Sequence, residues 1–229
     1  MEALQPDPRR AGELYAAVFG WGLRVDGHRL TAHAGGRAVA GLGPLGSLPS
    51  AAWLTRVRVD DVDEAVARAV QAGGSLVARP SGEEALLADP AGAAFAVGDM
   101  DRGAELVNQP GSWDLSTLAT PAPRAAEAFY GGLFGWRAEP AGAITLWRLP
   151  GYVGGLPDQP VPRDTVAVMT AAVRATWSVD FRVDDVDGCA EHAASHGARI
   201  RRAPHDTPGF RTALLVDPQG APFSITRFR

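Results

Sequence analysis

The 229-residue sequence contains no lysine, so all 22 of its basic residues are arginines. Without lysine the chain cannot form a Schiff base with a carbonyl substrate, and it lacks the phosphate-binding lysine of Walker-type nucleotide sites. The single cysteine, Cys189, excludes an intrachain disulfide and favours a reducing, cytoplasmic location. No apolar run approaches the roughly 20 residues that cross a bilayer. The polar, proline-containing residues 1–10 do not resemble a signal peptide, so no membrane partner is expected.

Clustered positive charge is also absent, since the net charge is −4 and no basic stripe occurs. Nucleic-acid-binding domains usually carry such a stripe, so the composition argues against a nucleic-acid partner. The arginines remain available as fixed, fork-shaped donors to carboxylate or phosphate groups. The hydrophobic fraction of 46% is sufficient for one large domain or two modest ones.

Three blocks of sequence in the first half of the chain recur in the same order in the second half. The first block ends in Phe-Gly-Trp, the second is Arg-Val-Asp-Asp-Val-Asp, and the third is Ala-Leu-Leu-x-Asp-Pro-x-Gly-Ala. They lie at residues 9–21 and 124–136, 58–63 and 182–187, and 85–93 and 213–221. Insertions between the blocks raise the offset from 115 to 124 and then to 128. This self-similarity indicates a tandem duplication.

Each copy divides further into two similar halves. The first half of the first copy predicts a helix from Pro8 to Phe19 that ends at Gly20, followed by three strands. The second half begins with an alternating strand at 53–59 and continues with a helix capped by Asp61 and three short strands. The chain is therefore predicted to be an α+β protein of four βαβββ units, paired into two domains.

The predicted domains span residues 1–99 and 113–229, joined by a polar linker at 100–112. In the second copy, residues 113–119 supply the opening strand. The first copy has only residues 1–6 in that place. This difference predicts a short strand at the edge of the first sheet, or a true start upstream of residue 1.

At this level of detail the sequence resembles a known superfamily. Phe-Tyr-x-x-Leu-Phe-Gly-Trp at 129–136, Val-Asp-Asp-Val-Asp at 183–187 and Asp-Pro-Gln-Gly-Ala at 217–221 are similar to motifs of the vicinal oxygen chelate superfamily. Its members include glyoxalase I, extradiol dioxygenases, and the bleomycin- and fosfomycin-resistance proteins. Together with Asn-Gln-Pro-Gly at 108–111, the combination resembles a bacterial two-domain glyoxalase-like subgroup. The resemblance implies that paired βαβββ units form a U-shaped mixed sheet around a small-molecule cleft.

The resemblance also implies a position in each cleft where His, Glu or Gln side chains chelate a divalent cation. In this sequence, the place of the usual glutamate holds Ala96 in the first copy and Ser224 in the second. The usual ligand on the middle strand is replaced by Leu54 and Ser178, and the opening strand of the second copy carries only Asp114 as a carboxylate. Because such a site needs at least three protein donors, we expect no metal. We also expect no other cofactor.

Strand alternation predicts which residues line each cleft. If Ser178 points inward, so do Asp180 and Arg182, while the apolar residues between them face the covering helix. The same alternation turns Arg56 and Arg58 inward in the first copy. These charged groups either form structural ion pairs or anchor a ligand. The second cleft, which has Asp180 in place of Arg56, is the expected site of activity.

Aromatic residues and one loop supply further candidates in the second copy. Trp113 and Trp147 fit either the hydrophobic core or a pocket wall, whereas alternation assigns Trp177 to the core. The connection at 205–211 contains His205, whose imidazole could act as a proton shuttle. The candidate catalytic residues are thus Asp180, Arg182 and His205, and the candidate ligand contacts are Trp113, Trp147, Ser178, Arg211, Ser224, Arg56 and Arg58.

Three functions fit these candidates. The favoured one is a metal-independent binding protein that sequesters an aromatic or polycyclic metabolite or antibiotic, as resistance proteins of the superfamily do. The second is a metal-free enzyme of secondary metabolism, a cyclase, isomerase or lyase, in which Asp180, Arg182 or His205 performs acid–base chemistry. The least favoured is a metal-dependent glyoxalase or dioxygenase. The expected partner is a small molecule, and both a monomer and a homodimer remain open.

Overall fold

The computed structural model describes residues 1–98 and 104–229. Within these ranges the chain folds as the α+β duplication that the sequence predicts. Its helices are α1 (Pro8–Phe19), α2 (Val62–Gln71), α3 (Pro123–Phe134) and α4 (Val186–Ser195). None of these described helices is long and apolar enough to span a membrane. The predicted end of the first domain at residue 99 and the first part of the predicted linker lie outside the described residues.

Local sequence sets the limits of the helices. Asp7 precedes α1, and its side chain accepts hydrogen bonds from the backbone N–H groups of Arg9 and Arg10. At the other end Gly20 adopts a left-handed φ of 69°, which glycine reaches without a steric penalty. Asp61 caps α2 by accepting from the backbone N–H of Glu64 at 2.9 Å. The predicted helix ends at Gly20 and Asp61 are confirmed.

The first copy is built from two sheets. The strands of the larger sheet, in spatial order, are β2 (Gly22–Asp26), β3 (Arg29–Ala34), β4 (Arg37–Pro44), β1 (Glu2–Gln5) and β5 (Ala52–Leu54). The smaller sheet contains β6 (Arg56–Arg58), β9 (Ala94–Gly98), β8 (Glu84–Ala88) and β7 (Ser75–Ser81). The strand predicted at 53–59 is therefore interrupted at Thr55, where one sheet gives way to the other.

The short opening strand β1 lies inside its sheet and not at the edge, which corrects the prediction. It runs parallel to β4 and antiparallel to β5, so both of its sides are hydrogen-bonded. The offset of 115 relates Glu2 to Thr117. The pairing agrees with that relation, because Glu2 lies opposite Leu54 and Thr117 lies opposite Ser178. Four residues are thus sufficient to join the two halves of the first copy.

The second copy forms one continuous sheet of eight described strands. In spatial order they are β11 (Arg137–Ala141), β12 (Ile144–Arg148), β13 (Thr165–Ala171), β10 (Trp113–Thr120), β14 (Thr176–Arg182), β17 (Pro222–Phe228), β16 (Phe210–Val216) and β15 (Arg199–Thr207). The antiparallel pair β10–β14 joins the two βαβββ halves in the middle. Within each half, a parallel pair, β10–β13 or β14–β17, closes the unit.

The two copies pack on each other through their helices. Helix α1 lies against α4, and α2 lies against α3. One buried cluster joins α1 and the larger sheet of the first copy to α4, β14, β16 and β17, and a second cluster joins the α2 and α3 regions in the same way. The rings of Phe19 and Phe181, one from each copy, are 4.9 Å apart between centroids. The helix-facing side of each sheet is therefore buried, and the opposite sides form the clefts.

Two buried hydrogen-bond chains link the copies symmetrically. Trp53 Nε1 donates to Tyr15 Oη at 2.7 Å, and this hydroxyl donates to Asp217 Oδ2 of the other copy at 2.9 Å. In the equivalent chain from the second copy to the first, Trp177 Nε1 donates to Tyr130 Oη at 2.8 Å, and this hydroxyl donates to Asp89 Oδ2 at 3.1 Å. The helix motif and the Asp-Pro-x-Gly motif, on which the family resemblance rests, therefore supply hydrogen bonds between the two copies. Trp177 lies in the core, as predicted.

Candidate functional site

The side chains of β14 alternate between the two faces of the sheet as predicted. Val179 and Phe181 are fully buried on the helix side. Ser178, Asp180 and Arg182 are partly exposed and lie on the opposite side, which faces the cleft. The burial of the apolar residues therefore places the two charged residues in the second cleft.

The first cleft is filled by its own apolar side chains. The connection between β4 and β5 places Leu48 against a small cluster that contains Leu54, Leu86 and Ala96. These four residues are at most 8% exposed. Leu54 and Ala96, which occupy two of the superfamily's chelating positions, consequently contribute to packing in this copy.

The charged residues of the first cleft pair with one another. Arg56 Nη1 lies 2.7 Å from Glu2 Oε2 and 2.9 Å from Glu84 Oε1, and Arg29 contacts the other oxygen of Glu2. Glu2 is only 5% exposed, so two arginines compensate its buried charge. Of the two alternatives for Arg56, the structure shows the ion pair. Arg58 is exposed at the end of β6.

The second cleft presents three hydroxyl groups around a carboxyl group. Thr117 pairs with Ser178 across β10 and β14, and Asp180 pairs with Ser224 across β14 and β17. Thr117 Oγ1 donates to Asp180 Oδ2 at 2.9 Å, and Ser224 also hydrogen-bonds to this carboxyl group. Ser178 Oγ lies 3.4 Å from the backbone oxygen of Thr117. Asp180 therefore takes the place that Arg56 has in the first copy, but its partners are hydroxyl groups and not carboxylates.

The surroundings of Asp180 favour its neutral form. Burial raises the pKa of Asp180 to about 7, and the negative charge of Asp114 acts in the same direction. The hydrogen bonds from Thr117 and Ser224 oppose this rise because they stabilise the carboxylate. A carboxyl group with this pKa exchanges its proton near neutral pH, as a general acid or base must.

Asp114 and Arg182 form a charged pair in the same cleft. A β-bulge between Trp113 and Leu115 shifts the register of β10 and allows Asp114 to face the cleft. The Asp114 side chain is 6% exposed, and its Oδ1 lies 3.6 Å from Arg182 Nη1. Burial raises the pKa of Asp114 to about 6, although the positive charge of Arg182 opposes the rise. The Arg182 guanidinium stacks on Phe228, with its Cζ 3.7 Å from the ring centroid.

Of these groups, Asp114 and Phe228 line a cavity that is open to solvent. Its wall combines aromatic side chains with the connection between β12 and β13. The lining of this second-cleft cavity includes Asn108, Trp113, Asp114, Leu115, Tyr152, Thr165, Phe210 and Phe228. Mostly apolar walls with a few convergent polar groups are typical of small-molecule sites.

Trp147 and Arg211 lie away from this cavity, which corrects the prediction that they contact a ligand there. Trp147 is fully buried and pairs with Ala167 on the face that packs against α3. Arg211 lies on the helix side of β16, where its Nε is 2.5 Å from Asp187 Oδ2 and its Nη1 is 2.9 Å from Asp206 Oδ1. One residue therefore belongs to the core and the other to a structural ion-pair cluster.

Trp113 and His205 occupy intermediate positions. Trp113 lines the cavity and also packs partly against the core, and its Nε1 donates to Ser116 Oγ at 3.1 Å. His205 lies opposite Thr212 on β15, the edge strand, with its Nδ1 2.9 Å from the backbone oxygen of Ala203. It is not among the described residues that line the cavity. Of the predicted site residues, Trp113 lines the cavity, and Ser178, Asp180, Arg182 and Ser224 lie on the neighbouring strands β14 and β17. His205 lies apart, on the edge strand.

Several residues of the site escaped prediction from sequence. Thr117 is recoverable from the repeat, because the offset of 115 places it level with Glu2 and opposite Ser178. The orientation of Asp114 depends on a β-bulge, which simple alternation does not reveal. Thr165 reaches the cavity at the start of β13, after a long connection, and no motif marks it.

The second cleft does not offer the donors that a divalent metal of this superfamily requires. The positions around Asp180 hold the neutral hydroxyl groups of Thr117, Ser178 and Ser224, whereas such metals prefer imidazole and carboxylate ligands. In the part of the chain that the structure describes, no group of three or more His, Cys, Asp or Glu side chains is placed to hold a metal ion. The residues present therefore do not fit the metal.

Comparison with known proteins agrees with this architecture. The family model of the glyoxalase-like domain matches residues 3–98 and 102–226. The anthracycline biosynthesis protein DnrV of Streptomyces peucetius is 33% identical over 253 residues, which cover 98% of this chain and 90% of DnrV. CFP32 of Mycobacterium tuberculosis, provisionally named a glyoxylase, is 32% identical over 247 residues, which cover 96% of this chain and 90% of CFP32.

The fold is also similar to that of a solved metalloenzyme. The Mn(II)-bound glyoxalase from Novosphingobium aromaticivorans superposes with a TM-score of 0.64 over 98% of this chain and 79% of that enzyme. Its sequence identity of 18% supports a shared fold alone. The family model matches once in each copy, as the duplication requires. The chain therefore belongs to the glyoxalase-like domain family and is a two-domain member of the vicinal oxygen chelate superfamily.

Proposed function

We propose that the chain is a metal-independent glyoxalase-like protein of secondary metabolism that binds an aromatic or polycyclic small molecule in its second cleft. The observation that carries this proposal is the position of Asp180, which is held by a hydroxyl group opposite Leu115, a residue of the aromatic-walled cavity. The first cleft is filled by Leu48 and its neighbours, so we expect one ligand per chain.

The composition of the cavity wall supports an aromatic ligand. Trp113, Tyr152, Phe210 and Phe228 contribute to its wall, and aromatic faces bind flat ring systems by stacking. The name of DnrV points in the same direction, because anthracyclines are planar polycyclic molecules. A cleft that holds such a molecule without altering it would sequester it.

A titration with planar aromatic compounds, from naphthalene derivatives to an anthracycline aglycone, tests the binding function. Calorimetry should show one equivalent bound per chain, and dialysis against EDTA should leave the affinity unchanged. Leu115→Trp adds bulk to the cavity wall and should weaken binding by about tenfold or more. Val173→Trp adds the same side chain at a position that is 93% exposed, and its affinity should match that of the wild type.

Three outcomes would contradict this function. They are two equivalents bound per chain, binding that returns only when a divalent metal is added, and equal affinities for the two tryptophan variants. The last outcome would place the ligand outside the second cleft.

The pKa of Asp180 favours a second candidate function, acid–base catalysis without a metal. A group with a pKa of about 7 beside a bound molecule can remove a proton and return it elsewhere, as cyclases, isomerases and lyases require. Arg182 lies on the same face of β14 and would stabilise negative charge that develops on the ligand.

Under this second function, Asp180→Asn should abolish turnover and preserve ligand binding. Proton NMR in D₂O can follow exchange at the acidic C–H positions of a bound ligand, and the wild-type rate should depend on one ionisation near pH 7. Asp184→Asn changes an exposed carboxylate nearby and should behave as the wild type. Binding without any exchange in the wild type would leave sequestration as the function.

A further inference from the structure

We infer that the second cleft selects an uncharged, planar aromatic ligand whose carbonyl oxygen accepts hydrogen bonds from Arg182 and Thr165. The inference rests on the proposed binding function and adds the chemical class of the ligand. Aryl ketones and quinones are the compounds that combine these properties.

Thr165 and Arg182 each carry a buried polar atom that no described group of the protein hydrogen-bonds. These atoms are Thr165 Oγ1 and Arg182 Nη1. Thr165 is 8% exposed and lines the second-cleft cavity. Arg182 adjoins it through Asp114 and Phe228, which also line it. Buried donors without acceptors are costly, so a ligand oxygen that accepts from them gains affinity.

Arg182 is held in position before a ligand binds. Its guanidinium stacks on Phe228, and its backbone N–H donates to the oxygen of Ser112 at 2.9 Å. Asp114 Oδ1, at 3.6 Å from Arg182 Nη1, restrains the side chain as an ion-pair partner but is too distant for a good hydrogen bond. A fixed guanidinium with a free N–H loses little entropy when it donates to a ligand.

The charges in the cleft favour a neutral acceptor over an anion. Asp114 lies on the cleft side with Arg182, and its carboxylate offsets the positive charge of the guanidinium. An anionic ligand would meet repulsion from the Asp114 carboxylate and would gain little from Arg182. A carbonyl oxygen accepts the same hydrogen bonds without a full charge, and the ring attached to it can stack on the aromatic wall.

Three naphthalene probes separate these properties at nearly constant shape. They are 2-acetylnaphthalene, 2-isopropenylnaphthalene, in which C=CH₂ replaces C=O, and 2-naphthoate, in which an anion replaces the neutral ketone. Calorimetry at pH 7 should show that the wild type binds the ketone about tenfold more tightly than the hydrocarbon, because a charged donor gains an acceptor. The ketone should also bind more tightly than the carboxylate.

Variants locate the preference in the protein. Arg182→Met should remove most of the preference for the ketone over the hydrocarbon, and Thr165→Val should reduce it. Thr55→Val removes another buried hydroxyl without a partner, outside the cavity lining, and Arg199→Met removes an exposed arginine. Both control variants should keep the preference. Thr165→Val changes no charge, so it decides the question if Arg182→Met does not fold.

The possible results separate the two proposals. Equal affinity for ketone and hydrocarbon, tightest binding of the naphthoate, or an unchanged preference in Thr165→Val would overturn the ligand class and leave the binding function standing. If none of the three naphthalenes binds, both the ligand class and the proposed function are overturned.

Discussion

Asp217→Asn should lower the free energy of unfolding by about 3 kcal/mol, although it replaces a single oxygen by nitrogen. The Asp217 carboxylate is buried between the copies and accepts four hydrogen bonds. Gln5 Nε2 and Tyr15 Oη donate to one oxygen at 2.7 and 2.9 Å, and the backbone N–H groups of Gln219 and Ala221 donate to the other. An amide nitrogen cannot accept, so the substitution would set donor against donor in a buried site.

Urea unfolding followed by tryptophan fluorescence measures this effect. Asp89→Asn disrupts the equivalent hydrogen-bond chain from the second copy to the first. It should be less destabilising than Asp217→Asn, because the Asp89 carboxylate accepts three hydrogen bonds, from Ala91, Ala93 and Tyr130, and not four. Asp184→Asn, at an exposed position, should change stability by less than about 0.5 kcal/mol. Tyr15→Phe should be non-additive with Asp217→Asn, because the two residues share one hydrogen bond. Additive effects would show that this bond does not couple the copies.

Asp180→Asn should have the opposite effect and stabilise the protein at pH 8 by about 2 kcal/mol. The pKa of Asp180 is raised to about 7, so the folded protein holds this proton more tightly than the unfolded chain does. The wild type therefore loses stability as the pH rises from about 4 to about 7, and the loss is complete above that range. Asparagine carries no titrating proton and does not suffer this loss.

The measurement is the free energy of unfolding of both proteins from pH 4 to pH 8. The difference between them should grow up to about pH 7 and then level off. The charged group that acts on Asp180 is Asp114, which is itself paired with Arg182. Asp184→Asn serves as the control and should show no such growth. A difference that stays constant with pH would mean that Asp180 is not neutral in the folded state near pH 6.

The two expected results separate a carboxylate that stabilises the fold from one that destabilises it. Asp217 is satisfied by four donors and stabilises the assembly of the two copies. Asp180 lies in a cleft where its charged form is unfavourable, and its replacement is expected to stabilise the fold. Groups that are costly to the fold and border a cavity are typical of binding and catalytic sites.

Much of the architecture was predictable because it depends on local sequence and on repetition. The ends of α1 follow from Asp7, Pro8 and Gly20, whose conformational preferences act within one turn of the helix. The faces of β14 follow from alternation, since Val179 and Phe181 require burial. The comparison of Arg56 with Asp180 likewise identified the two clefts as chemically different.

Other features depended on residues that are distant in sequence. From sequence, Trp147 and Trp113 each fit either the core or a pocket wall. Trp147 lies in the core and Trp113 lines the cavity, because pairing with β13 and a β-bulge decide their faces. Arg211 was expected in the cleft and instead pairs with Asp187 of α4. The filling of the first cleft by Leu48 depends on the path of a loop, which no periodicity encodes.

The sequence by itself determined the duplication, the order of the βαβββ units, the superfamily and the replacement of its chelating residues. These properties reside in motifs and short-range periodicity, which survive without knowledge of the packing. Only the tertiary structure decided that the first cleft is filled and that Thr117, Asp114, Thr165 and Phe228 join Asp180 and Arg182 in the second. Burial and the proximity of other groups set the charge and hydrogen bonding of a side chain, and both arise only when strands from separate halves meet.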